Sequence, residues 1–75
     1  MQARLFNVPL GTRFQYLDDM AQGKTFVLLS HEDCGLVADF IPVSWPSESR
    51  MHLQGLYSAA ESRTEYETMQ VEVIQ

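Results

Sequence analysis

Hydrophobic positions in this chain come in short alternating runs, the period of a half-buried strand and not of a helix. Residues 13–17 put Phe14 and Tyr16 on one side and Arg13, Gln15 and Leu17 on the other. Residues 24–30 carry the continuous apolar run Phe26-Val27-Leu28-Leu29, as a strand covered on both faces would. The turn-forming stretch 18–23 between them makes the pair a β-hairpin. Leu36, Val37, Ala38 and Phe40 predict a third strand, with Leu36, Ala38 and Phe40 facing one way and Val37 and Asp39 the other. Pro42, Ser44, Pro46, Ser47 and Ser49 then make 41–50 a loop. A fourth strand follows over 51–58, with Gly55 marking a bulge or a close backbone approach. Ser62-Arg63-Thr64-Glu65 has the pattern of a capping box, so one or two helical turns start there. Residues 69–74 close the chain as a strand, Met69, Val71 and Val73 alternating with Gln70, Glu72 and Ile74.

These elements predict a single all-β domain over residues 1–75, a five-stranded, mostly antiparallel barrel or curled sheet with one short helical turn before the last strand. Its expected core is Phe14, Tyr16, Phe26, Leu28, Leu36, Ala38, Leu56, Val71 and Val73. A chain this short buries only about 60–65% of its unfolded surface. Its interior is filled by side chains, which leaves little room for a deep catalytic pocket. Function is therefore expected on the surface or in the loops, and no enzymatic activity is expected.

Charge narrows the partners. Ten acidic and five basic side chains give a net charge of −5, which argues against a phosphate backbone as ligand. No run approaches the roughly 20 apolar residues of a membrane span, and the N-terminus lacks the pattern of a secretion signal, so a soluble, cytoplasmic protein is expected. The single Cys34 cannot form an internal disulfide. Small cores without one are commonly supported by a metal or by a second subunit, which makes a homo-oligomer a natural expectation.

Chemistry concentrates at His31-Glu32-Asp33-Cys34. A structural zinc site needs four ligands, and His31, Cys34 and His52 fall short of that within one subunit. Neither a metal nor a cofactor is therefore assigned. A nucleophilic Cys34–His31 or Cys34–His52 pair would need an orienting group and a cleft, and neither is legible. Asp18-Asp19 and Glu32-Asp33 read as hydrated turn residues, and the four isolated glycines make no phosphate-binding loop.

Trp45, between Ser44 and Pro46, is the sharper lead, because a tryptophan held in a proline-flanked loop suits an interface hot spot. The alternative is that it folds back as a lid over the core. Pro46, Arg50 and Met51 complete the predicted binding surface. The acidic residues Glu61, Glu65, Glu67 and Glu72 gather in the C-terminal quarter, either as a solubilising face or as a surface for a basic partner.

The segments 8–16, 24–29, 35–40 and 69–74, with their turn glycines and strand cores, resemble short proteins encoded by bacteriophages and prophages. That resemblance implies a Src-homology-3-like (SH3-like) small barrel and a phage accessory role in the host cytoplasm, and it transfers no catalytic residue. The function expected is a non-catalytic protein-interaction module acting on a protein partner such as a bacterial host protein. Two alternatives stand beside it: a small-molecule or metal binder at a homo-oligomer interface, and a structural component assembling through edge strands such as 69–74.

Overall fold

Phe14 and Phe26 face each other across the first hairpin with ring centroids 6.0 Å apart, and Tyr16 meets both edge-on at 5.2 and 4.8 Å. This aromatic trio anchors one face of an open, six-stranded antiparallel sheet in a computed structural model. The model describes residues 1–18, 24–45 and 48–74, with the backbone alone over 42–45 and 48–52. In chain order the elements are β1 (Gln2–Arg4), a 3-10 turn (Leu5–Asn7), β2 (Arg13–Tyr16), β3 (Thr25–Ser30), β4 (Leu36–Trp45), β5 (Glu48–Ser58), α1 (Arg63–Thr68) and β6 (Gln70–Ile74). The strands lie in the order β1-β6-β2-β3-β4-β5, so β1 and β5 are the edges.

The all-β, antiparallel reading holds, as one sheet with six strands among the described residues in place of five. The additional strand is β1, whose Gln2, Ala3 and Arg4 pair with Glu72, Val71 and Gln70. Three residues are too few for alternation to announce a strand. Their pairing moves β6 into the interior of the sheet, between β1 and β2, so residues 69–74 are not the assembly edge envisaged from the sequence.

One face of the sheet is covered. Leu5 and Val8 from the first turn, with Ala60 and Tyr66 from around α1, pack on Phe14, Phe26, Leu28, Val37 and Val71. Tyr16 and Val73 lie partly buried against this cluster. On β4 the expected face is inverted, since Val37 joins the core and Leu36, Ala38 and Phe40 alternate onto the other side. Ala38 is still buried, opposite the buried Val27 of β3. Leu56, also expected inside, is 64% exposed. For the β4 residues the physical reason is that β3 and β4 carry apolar side chains on both faces, so their composition does not show which face the helix covers; Leu56 lies on β5 beside the register shift.

The predicted loop over 41–50 is also corrected. β3 pairs with β4 only as far as Thr25–Phe40. Beyond that point β4 and β5 continue as a two-stranded arm in which Pro42 pairs with Met51, Val43 with Arg50, Ser44 with Ser49 and Trp45 with Glu48. A proline is tolerated there because, among the described residues, β4 pairs only with β5 beyond Phe40, and an N–H can be missing on its other side at no cost to the ladder. Gly55 does mark a bulge, with the register shifting between Val37 and Asp39.

The capping box is real at its centre. Ser62 Oγ accepts from the Glu65 N–H at 3.1 Å, while the Glu65 carboxylate accepts from the N–H of Glu61 instead of that of the cap residue.

The face assignment of β4 is checked by urea unfolding. Val37→Ala is expected to destabilise the protein by about 2 kcal/mol or more, as core truncations do. Leu56→Ala is expected to stay within about 0.5 kcal/mol. The reverse order would restore the face expected from alternation.

Candidate functional site

Two clusters carry polar side chains in organised surroundings. The first is the turn that joins β3 to β4. Asp33 and Cys34 both adopt positive φ, 51° and 65°, and Gly35 follows at 84°. Gly35 must lack a side chain, because a Cβ there would lie 2.2 Å from Cε1 of the buried Tyr66 ring. The turn thereby brings His31 to Tyr66, whose hydroxyl is 2.5 Å from His31 Nδ1, while His31 Nε2 is 3.0 Å from the Val8 carbonyl oxygen. A carbonyl only accepts, so Nε2–H donates to Val8. In the neutral ring Nδ1 is then the acceptor, and the Tyr66 O–H donates to it.

Arg63 closes this cluster from α1. Its Nη1 donates to the His31 carbonyl at 2.7 Å, and its guanidinium lies 4.8 Å from the Phe6 ring centroid and 5.6 Å from that of Tyr66. Burial raises the Tyr66 hydroxyl above its ordinary value near 10, and the Arg63 charge opposes that shift. The arrangement ties α1, the first turn and the β3–β4 turn together. It is poorly suited to metal or nucleophilic chemistry, because both His31 nitrogens are committed to Val8 and Tyr66 and neither is directed at Cys34. Among the described residues no three His, Cys, Asp or Glu side chains are grouped to hold a metal ion.

The second cluster lies at the far end of the covered face, next to the free edge. Asp39 of β4 stands opposite Phe26 of β3 and Gln54 of β5. Its side chain shares the face of Val37 and is only 8% exposed. Oδ2 accepts from the Tyr57 hydroxyl at 3.2 Å, and Lys24 Nζ lies 3.8 Å away over the Phe26 ring. Oδ1 is buried and has no hydrogen-bond partner among the described residues. An acceptor left in that condition costs about 1–3 kcal/mol, more for a charged group. The Lys24 contact is long and its side chain largely exposed, so it offsets little of this cost.

Around Asp39 the edge strand is uncovered. Leu53 is 51% exposed and Tyr57 47%, and they join Leu56 along β5. Tyr57 lies across Gly55, whose positive φ of 76° and missing side chain make room for the phenol.

Three of the four residues expected to bind have their backbones on the arm. Trp45, Arg50 and Met51 take the strand positions given above, while their side chains and the whole of Pro46 fall outside the described residues. Asp39, Tyr57 and Lys24 were not legible as a cluster in the sequence, because alternation assigned Asp39 to a solvent face. The one available signal was a lone acid in the apolar run 36–41. Tyr66 and Arg63 gave no signal either.

Among the described residues no helix is long and apolar enough to cross a membrane. Comparison with protein-family models, curated proteins and solved structures returns no match.

Two measurements check the His31–Tyr66 cluster. Because the Tyr66 value is raised in the folded state, the stability that depends on the neutral phenol is present below pH about 10 and lost as pH rises through the raised value. Ultraviolet titration is expected to show one tyrosine ionising late, and Tyr66→Phe is expected to abolish that phase. Gly35→Ala is expected to lower stability by about 3 kcal/mol in chemical denaturation, through its overlap with the Tyr66 ring and its positive φ.

Proposed function

We infer that this chain is a non-catalytic protein-interaction module whose contact surface is the β4–β5 hairpin and the free edge of β5. The observation that carries the reading is the edge strand itself. β5 is eleven residues long, pairs on one side only among the described residues, and exposes Leu53, Leu56 and Tyr57. Edge strands of that length and composition are normally blunted or covered, because their free N–H and C=O groups accept another strand. Exposed apolar side chains grouped along such an edge mark interaction surfaces.

The arm supports the same reading. A two-stranded ribbon is marginal alone in water, and a partner laid against it supplies the missing third layer of contacts. The backbones of Trp45, Arg50 and Met51 belong to this arm, so these three residues singled out in the sequence and the exposed residues of β5 fall on the same pair of strands. The commitment of His31 to Tyr66 and Val8 favours this module over metal binding. The resemblance to phage-encoded proteins supports a bacterial host protein as the partner.

The test is affinity retention of a bacterial partner by tagged wild-type protein beside Leu53→Ser/Leu56→Ser, Trp45→Ala and Arg50→Ala. The two leucines are exposed, so the double variant is expected to keep wild-type unfolding to within about 1 kcal/mol. A partner held by the wild type is expected to be lost from the double variant and weakened in the arm variants. Equal retention by all four proteins would move the contact surface away from this hairpin.

A further inference from the structure

The chemistry of the partner is written in the unsatisfied carboxylate beside β5. Taking the hairpin as the contact surface, as inferred above, we propose that the β5 edge accepts a basic extended segment of a partner protein as an added strand, with an arginine of that segment reaching across Gly55 to the Asp39 carboxylate.

Four features of the site lead there. Among the described residues the outer edge of β5 has no strand beside it, so an extended segment finds main-chain donors and acceptors along its length. Among the described residues Asp39 Oδ1 has no donor, and Oδ2 is served by the 3.2 Å Tyr57 hydroxyl and the distant Lys24 ammonium. Gln54 is the exposed β5 residue opposite Asp39, and Gly55 beside it leaves a gap in the row of side chains along the edge. The end of the Tyr57 side chain fills that gap now, and a Cβ on Gly55 would stand 2.5 Å from its hydroxyl oxygen. Tyr57 is half exposed on the edge strand, so its ring can swing outward to open the way.

Geometry selects the length of the incoming side chain. The backbone of an added strand lies two strand spacings, about 10 Å, from β4. Only a long side chain covers that distance, and the arginine fork offers paired donors that match the two carboxylate oxygens. The net charge of −5 favours a basic partner over a second copy of this chain. Leu53 and Leu56 alternate onto the opposite face from Asp39, so the incoming strand is expected to alternate basic and apolar residues.

The test is a nuclear magnetic resonance titration of the full chain with a blocked octapeptide of alternating arginine and valine, beside the same peptide with citrulline for arginine. The arginine peptide is expected to shift the amides of residues 53–58, with the citrulline peptide at least about tenfold weaker. Asp39→Asn is expected to lose a similar factor for the arginine peptide. Lys24→Met, which removes a competing cation, is expected to tighten binding, whereas Arg4→Met makes the same change of charge at the opposite edge and is expected not to. Equal binding by wild type and Asp39→Asn would overturn the arginine–Asp39 pairing and leave β5 standing as a contact strand. Shifts confined to Glu61, Glu65 and Glu67, or none on β5, would overturn the proposal. So would β5 shifts that grow with protein concentration before any peptide is added, since they would place a second copy on the edge. Partner retention by the hairpin variants tests the module reading separately.

Discussion

The rest of the molecule depends on the seating of Tyr66 against Gly35. The six-residue helix is too short to persist alone and depends on what it packs against. The Tyr66 ring occupies the space that a side chain at residue 35 would take, and its hydroxyl reaches His31, which in turn donates to Val8. Arg63 lies over the Phe6 and Tyr66 rings and holds the His31 carbonyl. One buried phenol thus joins the helix, the turn after β1 and the turn before β4, and through them fixes which face of the sheet is covered.

That choice of face has a consequence at the other end of β4. Once Val37 is drawn under the helix side, the period of two carries Asp39 onto the same face. An acid is then held where the core ends, shielded by Tyr57 and Phe26 and approached by Lys24. A hydrophobic residue at position 39 would extend the core without that penalty. Buried polar groups without partners are uncommon in folded proteins, and their position is informative for that reason.

The uncovered hairpin completes this division of labour. Sequence-distant elements pack around Tyr66 at one end, while β4 and β5 outrun β3 and project as a two-stranded arm. The long axis of the molecule, 43 Å against 21 and 20 Å, suits a chain that displays one element beyond its core. Stability is built around the helix, and the exposed apolar side chains of β5 are spent outside it.

The local pattern of the sequence determined the first hairpin, the Gly55 bulge, the short capped helix and the final strand. Each is announced by a pattern among residues near in the chain, where alternation, turn chemistry and the Ser62 cap act directly. Tertiary structure decided what those signals leave open. β1 exists because β6 offers it an edge, and residues 41–45 extend as strand because 48–52 lie alongside. Val37 is core because the Tyr66 side of the sheet is the one that a helix covers. Where both faces of a strand are apolar, the choice between them belongs to a residue distant in sequence, and the placement of Asp39 follows from it.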